Sequence, residues 1–291
     1  MKILILGCNG MLGHKLFTYL QREADFKVVG FCRKLSIKLI PYGENIVDGM
    51  DFLDFESLLS AIDKFSPELI INCAGVIKQK DEGISAIDEI KINSLLPHMI
   101  ANYCDQKSIR LIHFSTDCVF SGRKGNYSEN DQSDCYDFYG KTKFLGEIDS
   151  SNHLTIRTSI IGHELDSEFS LLSWFLKQKS IKGYKKAVFS GVPTIFLAKF
   201  LKKYLIPNNH INGIKHLSAS PIDKFSLLKK INKAYSANIE IEPDDSLKID
   251  RSLNSTLLMK QLDAKIPPWD DLIDLMYTDF YNMNFYRERR D

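Results

Sequence analysis

The chain opens with Met1-Lys2-Ile3-Leu4-Ile5-Leu6-Gly7-Cys8-Asn9-Gly10-Met11-Leu12-Gly13, an apolar run that ends in three glycines at fixed spacing. A buried parallel strand reads as a continuous apolar run, and this one stops at a residue without a side chain. In that arrangement Gly7 permits a tight turn, Gly10 lets the backbone approach a ligand closely, and Gly13 lets the next helix pack on the strand. A helix starting near Met11 points its free N–H groups out of the turn, which suits a phosphate. A glycine triplet alone is a weak signal, and its bland alternative is a strand-turn-helix whose glycines serve packing. Its position between an apolar strand and the amphipathic Leu12-His14-Leu16-Phe17-Leu20 segment favours the nucleotide reading.

Working outward, strand and helix signals alternate. Strands are expected at 2–6, 27–31, 68–72, 110–114 and 154–157, with a weaker one at 45–47. Helical periodicity is clear at 55–65, 84–105 and 136–148. This alternation calls for an α/β fold, a doubly wound parallel sheet of Rossmann type with helices on both faces. Beyond about Ile160 the pattern shifts to helices at 170–179, 195–205, 224–235, 252–262 and 270–281. Only short strands are expected between them, at 187–189, 215–218 and 238–242. Pro193, Pro207, Pro221, Pro243, Pro267 and Pro268 punctuate this half. The expected division is a dinucleotide-binding domain over 1–160 and a smaller, mostly helical substrate lobe over 161–291. The chain is expected to cross between the two near 187–220. No internal repeat or low-complexity tract is visible, and 287–291 reads as a solvated tail.

Composition narrows the classes. With 38 Lys and Arg against 37 Asp and Glu, the formal charge of the 291 residues is +1. That gives no electrostatic case for nucleic acid or an anionic membrane. No apolar stretch approaches a membrane span, and the N-terminus reads as a strand rather than a signal peptide. Six cysteines lack metal-type or redox-type spacing, and seven histidines form no ligand set. These features point to a cytoplasmic protein without a metal.

Two further motifs carry chemistry. The strand at 110–114 delivers Ser115-Thr116-Asp117 to the ligand edge of the sheet, and Tyr139-Gly140-Lys141-Thr142-Lys143 follows one helix and loop later. Tyr139 and Lys143 share a helical face. Such a pair alone is usually solvated surface. With the glycine turn and the strand-end hydroxyl, it resembles the extended short-chain dehydrogenase/reductase superfamily along nearly the whole chain.

Finer matches are similar to dTDP-4-dehydrorhamnose reductases: Ser115-Thr116-Asp117-Cys118-Val119-Phe120-Ser121-Gly122, Tyr139 to Glu147, and Arg157-Thr158-Ser159. So are Gly191-Val192-Pro193-Thr194 with Leu197-Ala198, and Asp250-Arg251-Ser252-Leu253-Asn254-Ser255. The resemblance implies that Tyr139 donates a proton while a nicotinamide supplies hydride. It implies that Lys143 lowers the phenol's pKa and binds the nicotinamide ribose, and that Thr116 hydrogen-bonds the carbonyl oxygen. The family has aromatic residues where this chain has Cys118 and Ile160, both near the expected sugar pocket. The segment 157–165 looks closer to reductases of polysaccharide-building nucleotide sugars, including UDP-N-acetyl 4-keto sugars. Related 4,6-dehydratases carry an Asp-Glu pair after this threonine. Here Cys118 takes the glutamate's place, and a thiol at its normal pKa does not replace that acid.

Cofactor contacts are expected from Gly7, Asn9, Gly10, Met11, Leu12 and Gly13. The second strand ends Gly30-Phe31-Cys32-Arg33-Lys34 without a carboxylate for a ribose 2′-hydroxyl. Arg33 and Lys34 suit a 2′-phosphate instead, so NADP(H) is favoured and NAD(H) is the other candidate. Two solvated charges are the bland reading. Asp51 and Phe52 are placed near the adenine, Cys73, Ala74 and Gly75 beneath the cofactor, and Asn93 as a buttress. Val76, Cys118, Ile160, Val192, Thr194 and Arg251 are the candidate substrate contacts, and Trp174 and Phe175 are weighed as base-stacking or core residues. The resulting expectation is reduction of the 4-keto group of a 4-keto-6-deoxy nucleotide sugar for surface polysaccharide, by a protein that could form a homodimer through 84–105 and 136–148. Rival readings are an epimerase holding NAD and a non-catalytic NADP-binding regulatory subunit.

Overall fold

The structure is a computed structural model; it describes residues 1–77, 83–283 and 286. The tail at 287–291 lies outside the described residues. Twelve strands are present among those described: β1 (Lys2–Leu6), β2 (Lys27–Phe31), β3 (Ile46–Val47), β4 (Leu69–Asn72), β5 (Arg110–Thr116), β6 (Leu154–Thr158), β7 (Ile160–Ile161), β8 (Ser180–Phe189), β9 (Val192–Pro193), β10 (Gly213–His216), β11 (Ile222–Asp223) and β12 (Glu240–Asp250). The α-helices are α1 (Met11–Leu20), α2 (Phe55–Phe65), α3 (Ala86–Ile90), α4 (Leu96–Lys107), α5 (Phe138–Leu145), α6 (Leu171–Phe175), α7 (Thr194–Phe200), α8 (Lys224–Tyr235), α9 (Thr256–Leu262) and α10 (Trp269–Asn282).

Seven strands form one parallel sheet in the order β10-β6-β5-β4-β1-β2-β3. This is a Rossmann-type α/β fold. β1 is unbroken in apolarity because both its faces are covered. Ile3 and Ile5 enter one core with Leu16, Phe17 and Leu20 of α1, while Leu4 and Leu6 enter another with Leu58 and Ile62 of α2. The strand order reverses between β1 and β4, so a crevice opens beyond their C-terminal ends.

The helix expected at 84–105 is interrupted. Between α3 and α4 lies a π-helical turn at Lys91–Leu95, a form that frequently marks functional sites. In the second half, β8 and β12 pair in parallel over ten and eleven residues, with β11 antiparallel on the other side of β8. Those strands are far longer than the sequence suggested. β10 returns the chain to the main sheet beside β6. Among the described residues, no helix is long and apolar enough to cross a membrane.

The chain at the end of β12 is tied to the segment after β5 by main-chain bonds. The Asp250 amide donates to the Gly122 carbonyl at 2.8 Å, Tyr127 to Ser252 at 2.8 Å and Asn254 to Tyr127 at 2.7 Å. Gly122 has φ +84°, and a side chain there would run into Ile249. These bonds carry Arg251 to the mouth of the crevice.

Candidate active site

At the first end of the crevice, Gly7 turns the chain with φ +77°, and a Cβ on it would lie 2.8 Å from the Ala74 amide nitrogen. The loops after β1 and β4 therefore touch, and Gly7 is required on both counts. A Cβ on Gly13 would strike the Gly7 carbonyl, so α1 can pack this closely only with glycine there. Gly10 caps α1 in extended conformation with no side-chain cap, and the first turn contains no acidic residue. The leading N–H groups and the positive end of the helix are thus left for an anion. The Asn9 amide donates to the Lys34 carbonyl, while its Oδ1 is buried without a partner. These features fit a dinucleotide's pyrophosphate.

Past β2, Arg33 and Lys34 are exposed, and among the described residues neither forms an ion pair. Met50 donates to the Cys32 carbonyl at 2.9 Å, which brings Asp51 and Phe52 beside that strand end. Phe52 packs against the core beneath α2, and Asp51 stays exposed.

Across the crevice, Asn93 sits in the π turn, fully buried. Its Oδ1 accepts from the Val76 amide at 2.9 Å, and its Nδ2 donates to the Val76 carbonyl at 3.0 Å and to Thr142 Oγ1 at 3.2 Å. One side chain therefore fixes the Ala74–Val76 loop and joins it to α5. Gly146 packs against the Asn93 carbonyl so closely that no side chain fits there.

Beyond this loop stand the candidate chemical groups. β5 runs two residues further than expected and ends at Thr116. α5 is capped by Asp137, whose Oδ1 accepts from the Gly140 amide at 2.8 Å. Gly140 lets α5 press against the Cys118 carbonyl, and Tyr139 beside it faces Thr116, Asp117 and Cys118. The phenol's pKa is raised, first by burial and then by the Cys118 thiol and Asp117. Lys143 Nζ donates to the Phe114 carbonyl at 2.8 Å. Burial lowers its pKa to about 8, with Glu147 and Cys73 opposing. The ammonium donates to a backbone carbonyl, and burial shifts the phenol up where the resemblance implied a lowered value.

Behind Lys143 lies an arrangement the sequence reading left without a role. Arg157 donates bidentately to Glu147, Nε to Oε1 at 2.8 Å and Nη2 to Oε2 at 2.7 Å. Ser115 Oγ donates to the same Oε1 at 2.6 Å. Glu147 lies two residues beyond the end of α5 and four after Lys143, and that spacing was the available signal.

Of the candidate substrate contacts, Arg251 is best presented. Its Nε donates to the Phe120 carbonyl at 2.8 Å, while Nη1 lies 3.6 Å from Cys118 Sγ and Nη2 3.6 Å from Asp137. Burial and Asp117 push the Cys118 thiol up to about 12. Ile160, half-buried, pairs with Val192. Val192 and Thr194 are buried, with Thr194 against Gly162; they brace Ile160 from beneath rather than line an open pocket. Val76 is buried as well. Phe175 is core, whereas Trp174 is 43% exposed.

The RmlD substrate binding domain model matches residues 1–282. A probable low-salt glycan biosynthesis reductase, Agl14, of Haloferax volcanii is 32% identical over 49% of this chain and 46% of its own length. The chain thus aligns with less than half of that relative. The dTDP-4-dehydrorhamnose reductase of Aggregatibacter actinomycetemcomitans is 25% identical over 76% of this chain and 74% of its own. Among solved structures, dTDP-4-dehydrorhamnose reductase from Bacillus anthracis in complex with NADP superposes with a TM-score of 0.79 at 19% identity, covering 96% of this chain and 99% of that one. A glycine crevice, a tyrosine facing a threonine, a lysine on the same helix and a match over nearly the full length all agree: this chain belongs to the RmlD substrate-binding-domain family.

Proposed function

We propose that the protein reduces the 4-keto group of a 4-keto-6-deoxy nucleotide sugar with NADPH, for surface polysaccharide synthesis in the cytoplasm. The observation that carries this reading is the placement of Tyr139 beside Thr116, and of Lys143 against β5, at the open end of a crevice built for a dinucleotide. Bound there, the reduced nicotinamide supplies hydride to the carbonyl carbon. The protein's part is the proton. A phenol with a raised pKa stays protonated at neutral pH and is available to the carbonyl oxygen as charge develops. Thr116 offers a second hydroxyl to the same oxygen.

Gly7 to Gly13 would hold the pyrophosphate, Arg33 and Lys34 the 2′-phosphate, and Lys143 with Cys73, Ala74 and Gly75 the nicotinamide riboside. Arg251, facing the cleft from the second lobe, would take the diphosphate of the sugar nucleotide. A Cys118 thiol held neutral supplies no second carboxylic acid, which favours simple reduction over elimination of water. Domain boundaries at 1–160 and 161–291 suit this division of labour. Exposed Ile87, Ile90, Leu95, Phe144 and Leu145 on α3 to α5 are the surface through which a homodimer would form.

The test is NADPH oxidation over a panel of dTDP- and UDP-4-keto-6-deoxy sugars. Stoichiometric release of NADP+ with the reduced sugar is expected for at least one. Absence of turnover with every member would remove the reductase reading.

A further inference from the structure

His14, on the buried side of α1, has no part in the scheme so far. Gly10 caps α1, and its carbonyl accepts from the His14 amide at 2.9 Å. The same carbonyl lies 2.9 Å from Nδ1 of the His14 ring. On the other side of that ring, Nε2 lies 2.5 Å from the Tyr286 hydroxyl, 272 residues further along the chain. Both side chains are buried. The family match ends at residue 282, short of this tyrosine.

The protons in this row follow from its two ends. A carbonyl only accepts, so Nδ1 carries the imidazole proton and donates it to Gly10. A neutral imidazole then offers only a lone pair on Nε2, and the Tyr286 hydroxyl donates to it. Burial and the Lys15 ammonium bring the His14 pKa down to about 3, so the ring is neutral in ordinary buffers. The tyrosine thus selects the tautomer that suits Gly10. The opposite tautomer would set a nitrogen lone pair against the carbonyl oxygen.

The effect appears at the other end of the same peptide. The Gly10–Met11 unit is planar and trans, so its C=O and N–H point in opposite directions. Holding the carbonyl along the axis of α1 aims the Met11 N–H out of the helix, where an anion would sit. Resting on the dinucleotide reading of the glycine crevice, we infer that Tyr286 is a positioning residue of the cofactor site, acting through His14 and the Gly10 carbonyl on the first N–H group of α1.

Tyr286 is well anchored for this. Its amide donates to the Met283 carbonyl at 3.1 Å, and its ring stacks on Phe280 with centroids 5.7 Å apart. Lys15 Nζ sits 5.0 Å from the ring centre and pairs with Asp279 of α10 at 2.5 Å. His14 and Lys15, consecutive on α1, are therefore both gripped from α10 and the residue beyond it. Packing alone would account for the ring. The hydroxyl is what reaches the imidazole.

The test is the affinity for NADPH and for NADH, by fluorescence titration, of wild type, Tyr286→Phe, His14→Leu and the double variant. Tyr286→Phe keeps the ring and removes only the hydroxyl, and near-ultraviolet circular dichroism confirms that the protein titrated is folded. Its Kd should rise roughly three- to tenfold, the scale of one hydrogen bond. The factor should be the same for both nucleotides, because the pyrophosphate is common to them. In His14→Leu, exchanging Tyr286 for Phe should change Kd no further. An unchanged Kd in folded Tyr286→Phe overturns the assignment, whatever happens to its unfolding midpoint. So does a loss confined to NADPH, or an equal effect of the exchange with and without His14. A wild type that binds NADPH but reduces no keto sugar ends the reductase reading, and the affinities still decide this one. A wild type that binds neither nucleotide ends both.

Discussion

The two ends of the crevice are built by opposite means. At the chemical end, Thr116, Lys143, Glu147, Arg157 and Asn93 are buried, and each is held by partners. At the adenosine end, Arg33 and Lys34 stand exposed and uncommitted. On the proposed reaction, the difference follows from what each end would do. Proton transfer demands donors fixed within tenths of an ångström before the substrate arrives. Recognition of a phosphate on a mobile cofactor can be left to charges that arrange themselves on contact.

This contrast can be broken from the chemical end first. Tyr139→Phe should lower kcat/KM about a thousandfold, the usual weight of a positioned proton donor, while NADPH affinity followed by fluorescence stays near wild type. A small loss would mean that water serves as donor and that the rigidity has another purpose. Glu147→Gln should come next, because it leaves the Arg157 guanidinium buried beside a neutral amide. A loss of about 3–5 kcal/mol is expected in a denaturant titration; an unchanged midpoint would show that solvent reaches this pair.

Two smaller effects sharpen the comparison. With its pKa at about 8, Lys143 should lose its charge above that pH, and activity should fall roughly tenfold per unit beyond it. Stability moves the other way. The folded value lies below the unfolded one, so between pH 8 and the ordinary lysine value of 10.5 the unfolded chain holds more protons, and stability rises with pH across that window. A stability curve falling there would place Lys143 outside this description. At the adenosine end, Arg33→Ala should weaken NADPH binding roughly tenfold, the worth of one exposed charge-assisted contact, and leave NADH binding unaltered. Equal weakening of both would remove the 2′-phosphate from this corner.

How much was legible depended on whether the cause lay nearby in the chain. α2 could be bounded at Phe55–Phe65 because Asp54 caps it, accepting from the Ser57 amide at 3.1 Å, and its apolar stripe is regular. Gly7, Thr116, Tyr139 and Lys143 were visible because each sits in a short motif with its own local geometry. The π turn was not, since nothing in Lys91-Ile92-Asn93-Ser94-Leu95 departs from helical pattern, and its reason is the distant Val76 loop. β8 and β12 were hidden by their own surface: Lys182, Lys185, Lys186, Glu240, Glu242, Asp244 and Asp245 leave little alternation to read. Glu147 with Arg157, and Arg251 with Asp137, were out of reach for a related reason. A charge reveals its role only when its partner is known, and these partners arrive from other elements.

The three main-chain bonds between 122–127 and 250–254 make the junction near residue 161 a poor place to cut. Exchanging 161–291 for the matching half of a relative would leave the segment beyond β5 facing a stranger and would loosen the turn that ends at Thr116. On the proposed function, evolution of a new substrate preference in this scaffold would have to alter both halves together, or confine itself to side chains such as Ile160 that leave those seams alone.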